Sequence, residues 1–251
     1  MRLTLGFMNR QRQLAKDYQR VAELLAMSRR NIQGLDNRDF MAAGKQINVH
    51  PAHLKAFHLV ESSGDGFGPG NRLKILYEPH VVHRETKGKL AGVRIPWMHD
   101  GKEIEVPISY RKWKPLGREV IKGSDWHPYD LSQEDRWGLL ASAYELHPDV
   151  LRGVSWGGFQ VLGKWATSIG YRSTLDMIDR FYEGEAEHLA GAMRFLAMAS
   201  PNAIPALRVG NWALVARYYN GPGQVAKFAG LLERKASKVM REFPGAGRAF
   251  V

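Results

Sequence analysis

The 251-residue chain has no cysteine. Disulfide scaffolds, thiolate metal sites and a cysteine nucleophile are therefore excluded. It also lacks any apolar run near the roughly 18 residues that a membrane-spanning helix needs. The N-terminal stretch MRLTLGFMNRQRQLAK is basic but has neither an apolar h-region nor a small-residue cleavage site, which argues against a secretory signal peptide. Internal repeats and low-complexity tracts are absent. Acidic residues are in deficit: 25 Asp+Glu stand against 36 Lys+Arg, a formal net charge of +11 and a sequence pI near 9.9. Such a chain is drawn to polyanions such as nucleic acid, an anionic membrane surface or an acidic wall polymer, and composition does not choose among them. What is present is enough for folding: 44% apolar and 10% aromatic residues exclude intrinsic disorder and allow one large core or two small ones.

Residues 1–34 form a basic segment in which seven Lys/Arg meet only Asp17 and Glu23, a net +5. Leu14, Tyr18, Val21, Leu24 and Leu25 recur there at helical spacing before Gly34 and Asp36 break the pattern. The spacing predicts a helix docked on the main body or a loosely attached arm. From Asp36 the text is denser. Asp39–Val49 reads as a short helix, and Pro51 opens a second, AHLKAFHLVE, apolar nearly all round and hence buried. ILYEPHVV and VRIPWM read as strands, and Asp100-Gly101 as a hairpin turn followed by alternating residues. Lys102 to Lys122, basic and punctuated by Pro and Gly, reads mainly as surface loop. Ser132 with Asp135 resembles a capping box, and Trp137, Leu140, Ala141 and Tyr144 share the face of the helix that follows. Further helices are predicted over residues 173–199, Asn211–Asn220 and Gln224–Glu242. Glu183, Glu185 and Glu187 read as a solvated helix surface, and Met177, Met193 and Met198 as core. The predicted class is α+β, predominantly helical, with a small β lobe inserted after the first buried helix.

Glu61 carries the sharpest chemical signal. It ends the apolar helix, where the negative end of the dipole and burial beside Phe57 and Val60 both disfavour a charged carboxylate. Lys or Arg normally occupies such a position. A Glu held protonated near neutral pH is what a general acid for glycosidic cleavage requires. A half-exposed Glu bonded to a Ser hydroxyl is the plainer alternative.

Three segments, Glu61-Ser62-Ser63-Gly64, Ser155-Trp156-Gly157-Gly158-Phe159-Gln160 and Tyr218-Tyr219-Asn220-Gly221-Pro222-Gly223, are each weak alone. Their order, with Gly-x-x-Gln expected to enter a helix, resembles the lysozyme-like superfamily, shared by goose-type lysozymes and lytic transglycosylases. More closely, AFHLVESSGDGF, LKILYEPHVVHR and SWGGFQVLG resemble the phage endolysin family of N-acetylmuramidases, over about residues 36–245. The resemblance implies a lysozyme-like fold whose β lobe borders the catalytic groove, with residues 1–34 apart from a catalytic domain spanning 35–251. It implies Glu61 as catalytic acid, Ser155 and Gln160 on the groove wall opposite it, and Tyr219 and Asn220 on a groove floor orienting the acetamido sugar. Family members often carry a wall-binding module at the N-terminus; the short segment before residue 35 makes that doubtful here. Gly157 and Gly158 would admit a ligand close to the backbone, and Trp156, Phe159 and Tyr219 could pack on sugar faces.

The second carboxylate is open between Glu78, in the β lobe, and Asp65, just after Glu61; either has a structural alternative, a salt bridge for Glu78 and a turn for Asp65. A lytic transglycosylase needs no second carboxylate, because the substrate's own 6-hydroxyl closes an anhydro ring; the closer family favours hydrolysis. His80 and His83 sit near Glu78 and Glu85, but nothing completes a metal set, so neither metal nor cofactor is expected. The partner implied is the peptidoglycan glycan strand, with contact to anionic membrane or lipopolysaccharide through the basic segments. A monomer is expected, held in the host cytoplasm until a holin-type pore admits it to the periplasm. A nucleic-acid-binding protein is supported by charge alone, without a helix-turn-helix, zinc finger or aromatic platform. A catalytically dead wall binder is opposed by Glu61.

Overall fold

The computed structural model describes residues 34–61, 65–99, 102–111 and 131–246. The expectations for residues 1–33, for Ser62, Ser63 and Gly64, for the Asp100-Gly101 turn and for residues 112–122 lie outside these. No helix among the described residues is long and apolar enough to cross a membrane.

Helix α1 (Asn37–Ile47) starts at a capping box. Asp36 accepts from the Arg38 and Asp39 amides, and Asp39 reaches back to the Asp36 amide at 2.8 Å. It ends where Asn48 takes a left-handed conformation (φ 51°). Pro51 then opens α2 (Pro51–Glu61), whose Ala52, Leu54, Ala56, Phe57 and His58 are all buried. Burial on this many sides makes α2 the central helix: α1, α7 (Ala203–Arg208) and the C-terminal α9 (Val225–Val239) all pack against it.

Between α2 and α9 the order is β1 (Ile75–Tyr77), α3 (Pro79–Glu85), β2 (Arg94–His99), β3 (Lys102–Pro107), α4 (Gln133–Leu146), β4 (Val154–Trp156), β5 (Val161–Leu162), α5 (Thr174–Phe181), α6 (Glu185–Ala199), α7 and α8 (Trp212–Asn220). Short 3₁₀ turns, such as Pro148–Gly153, join several of these. The architecture is the helix-dominated α+β fold expected.

β1, β4 and β5 form an antiparallel sheet in that order, with Leu76 opposite Ser155 and Ser155 opposite Leu162. β2 and β3 form a separate ribbon in register from Arg94–Pro107 to His99–Lys102. α4 has the capping box predicted, the Ser132 hydroxyl accepting from the Asp135 amide at 3.1 Å. Its Trp137, Leu140 and Tyr144 are buried.

Three local expectations are corrected. ILYEPHVV is a strand only to Tyr77, because Pro79, lacking an N–H and with φ preset, sits at the first position of α3. Lys102 to Pro107 pairs as β3 rather than forming loop, and buries Val106. Gln160 does not enter a helix: residues 157–160 are the turn joining β4 to β5.

Candidate active site

Glu61 is the last residue of α2, so its carboxylate sits at the electronegative end of that helix. Asn220, the last residue of α8, donates from Nδ2 to Glu61 Oε1 at 3.1 Å. Burial pushes the Glu61 carboxyl up to about 7, and the Asn220 hydrogen bond pulls in the opposite direction. Tyr219 lies beside Asn220 and donates its phenol proton to the carbonyl of Phe159. Its ring meets Phe57 edge-on at 4.7 Å and Phe195 at 5.4 Å. Burial and the neighbouring Glu61 charge raise the Tyr219 phenol above its ordinary range, so it stays protonated.

Glu78 and Ser155 form a second group. Antiparallel pairing of β1 with β4 carries Glu78, one residue past β1, beside Ser155. The Ser155 hydroxyl donates to Glu78 Oε1 at 2.7 Å, and His80 Nε2 lies 3.9 Å from Oε2. Burial pushes the Glu78 carboxyl up, while the Ser155 bond and the charges of Lys164 and Arg84 pull it back. Asp65, the other candidate, is 76% exposed and lies 3.9 Å from Lys74.

The β4–β5 turn lies between the two groups. Phe159, whose carbonyl Tyr219 binds, stacks on Phe57 of α2 at 5.6 Å. Gln160 adopts φ 51° and donates from Nε2 to the Gly157 carbonyl at 2.7 Å and the Lys74 carbonyl at 3.4 Å. Its amide nitrogen therefore braces the turn. The structure thus joins Glu61, Asn220 and Tyr219 directly, joins Glu78 to Ser155, and links the first trio to the turn that carries Gln160.

Two expected sugar-stacking rings are not available: Trp156 and Phe159 are 1% and 0% exposed and belong to the core. Gly157 and Gly158 admit protein rather than ligand: a Cβ on Gly158 would lie 3.2 Å from Gly66 Cα. Glu185, expected on a solvated surface, is 4% exposed, because the loop after α2 and the chain before α1 close over it. Its neighbour His188 is fully buried and was not singled out in the sequence. The available signal was weak: His188 falls one turn after Glu185, on the face shared with Leu189 and Ala192.

The N-acetylmuramidase family model matches residues 50–239, most of the chain, which takes in every candidate site residue from Glu61 to Asn220 and leaves out α1. The chain belongs to the N-acetylmuramidase family. This muramidase is also similar to a solved structure, described as the crystal structure of Burkholderia AP3 phage endolysin. The two are 26% identical with a TM-score of 0.65, over 86% of this chain and 75% of that one. No curated protein matches the muramidase. It is accordingly a glycoside hydrolase acting on peptidoglycan.

Proposed function

We propose that Glu61 is the general acid of this muramidase and that the protein acts as an endolysin. It cleaves the β-1,4 bond between N-acetylmuramic acid and N-acetylglucosamine. The observation that carries the reading is a carboxyl group at a helix C-terminus, raised to about 7 and bonded by the Asn220 amide. Such a group is still largely protonated near neutral pH and is held in one orientation by its neighbour.

In this reading Glu61 gives its proton to the glycosidic oxygen as the C1–O bond breaks, leaving an oxocarbenium-like centre at C1. Water adds to C1, and Glu78 takes up the proton released. The environments of the two carboxylates support that division. Among the described residues Glu61 accepts from the neutral Asn220 amide, whereas Glu78 has a hydroxyl donor and the fields of two cations, which favour its charged form. Asp65, exposed beside Lys74, is less suited to a sheltered role. Asn220 and Tyr219 floor the site beside the acid, and Ser155 and Gln160 support the facing side.

The reading extends to a protein that waits in the host cytoplasm for a holin-type pore. The net charge of +11 supports attraction to the anionic wall and to membrane or lipopolysaccharide nearby.

Lysis of permeabilised bacteria by Glu61→Gln tests the assignment. The substitution keeps the shape and removes the transferable proton. The expected loss is at least the roughly 10²–10⁴-fold that general acid catalysis supplies. A folded Glu61→Gln protein with near-wild-type lysis overturns it. Mass spectrometry of the digest reads the reaction type: reducing N-acetylmuramic acid ends are expected, and anhydro ends, one water lighter, would make the enzyme a transglycosylase.

A further inference from the structure

Helix α6 carries none of the candidate site residues, yet its first turn bonds both the loop that follows Glu61 and the β4–β5 turn that Tyr219 also binds. Glu185, the first residue of α6, is buried and accepts backbone N–H groups from two distant stretches of chain. One is Gly66, in the loop that follows Glu61; the other is Leu35, just before α1, at 3.3 Å. His188, one turn on, has both ring nitrogens engaged. Nε2 lies 2.8 Å from the Phe181 carbonyl and so carries the proton, which leaves Nδ1 to accept from the Gly158 amide at 3.1 Å. Gly158 is in the β4–β5 turn, whose next residue, Phe159, supplies the carbonyl bound by Tyr219. His58, one turn before Glu61 on α2, closes the layer, its Nε2 4.0 Å from Glu185 and its ring 4.8 Å from that of Phe159.

The packing leaves no slack in this layer. A Cβ on Gly66 would stand 2.3 Å from His188 Nδ1 and 3.0 Å from Glu185 Oε1. One on Gly158 would stand 3.2 Å from Gly66 Cα and 3.4 Å from His58 Nε2. The loop after the acid and the turn facing it therefore touch backbone to backbone, each held to α6 by a buried side chain.

We propose that Glu185 and His188 are positioning residues: together they fix the loop after Glu61 and the β4–β5 turn relative to each other, and so set the orientation of the catalytic acid. The inference rests on the reading of Glu61 as that acid. Both act through backbone amides, and neither touches substrate. Glutamine cannot reproduce the clamp at Glu185, because its NH₂ group would face one of the two N–H donors. Asparagine can reproduce the Gly158 acceptor at His188, since its Oδ1 occupies nearly the place of the imidazole Nδ1; leucine cannot.

The test is steady-state kinetics on purified soluble glycan strands, with the folded fraction measured for each protein. Misplacing a reacting group by about 1 Å costs of order a hundredfold. Glu185→Gln and His188→Leu are therefore expected to lower kcat per folded molecule at least tenfold while KM changes less than threefold. His188→Asn is expected to stay within about threefold of wild-type kcat. A merely structural role would lower the melting temperature and leave kcat per folded molecule unchanged. Wild-type kcat in folded Glu185→Gln, or equal kcat in His188→Leu and His188→Asn, overturns the inference. Should Glu185→Gln not fold, the His188 pair decides. Glu61→Gln is run in parallel: an active Glu61→Gln removes the underlying reading, whereas an inactive one beside an unimpaired Glu185→Gln and an unimpaired His188→Leu removes the positioning role alone.

Discussion

Glu61 is costly to the fold for the reason that makes it useful. Its carboxyl is raised from 4.5 to about 7, so the folded protein binds the proton more tightly than the unfolded chain does. Between those two values the folded state holds more protons, and stability falls as pH rises. At roughly 1.4 kcal/mol per unit, the loss is at most about 3–4 kcal/mol once the pH has passed 7. Glu61→Gln is therefore expected to melt above the wild type at pH 8 and at the same temperature near pH 4, which thermal denaturation at the two pH values will read. Activity has the same origin: kcat/KM should fall on the alkaline side with an apparent pKa near the value of about 7 given by burial. Asn220 stabilises the charged form, so Asn220→Leu should move that limb to higher pH, an effect read from a pH–rate profile on soluble glycan. Much of this was legible in the sequence: a Glu after an apolar run ending in Ser-Ser-Gly already places a carboxylate at a helix C-terminus. The partner was not, because nothing local joins Asn220 to a residue 159 positions earlier.

At the scale of elements, the helices whose signals are local were readable. The cap at Ser132, the proline that opens α2 and the apolar face of α4 all lie within a few residues of what they specify. Other misread pieces depend on distant partners. β4 and β5 are three and two residues long, and exist because β1 pairs with β4 across an intervening 78 to 153. Glu185 looked like surface because its neighbours in sequence are polar, whereas what buries it arrives from residues 35 and 66. The β4–β5 turn joins these scales, being held by Tyr219 from α8, by His188 from α6 and by its own Gln160. Tyr219→Phe keeps the ring packing and removes the donor to the Phe159 carbonyl. Losing a partner for a buried carbonyl costs about 1–3 kcal/mol, so the melting temperature should fall by several degrees. Activity per folded molecule should fall as well, because Tyr219 adjoins Asn220, which bonds Glu61. Unchanged melting in Tyr219→Phe would show that the bond contributes nothing to holding the turn.

At the scale of the whole molecule, opposed titrations set where the protein is most stable. Burial holds His58 and His80 down to about 4 and His188 to about 3. Each is neutral in the fold and takes up a proton on unfolding below the ordinary 6.5, so each contributes stability that is lost as pH falls from 6.5 toward its folded value. Asp36, Asp176 and Glu242, held below the usual carboxylate range by Arg38, Arg172 and Lys55, act in the same direction at lower pH. Glu61, Glu78 and Glu185 are raised by burial and act the other way, losing stability as pH rises above 4.5. From 4.5 to 6.5 the buried histidines and buried carboxylates oppose one another, so the melting temperature should change little. Below 4.5 the raised carboxylates no longer oppose, and His188, neutral down to about 3, acts with the paired carboxylates, so stability should fall steeply. Above 6.5 the histidines drop out and Glu61, raised to about 7, still acts, so the decline should be shallow. A melting curve measured at half-unit intervals from pH 3 to 9 is thus expected to show a plateau bounded by a sharp acid edge and a gentle alkaline one. His188→Asn removes the histidine contribution that reaches lowest in pH, so its acid edge should be less steep than that of the wild type. An edge of equal slope would mean that His188 is not the neutral, doubly bonded ring that the fold requires.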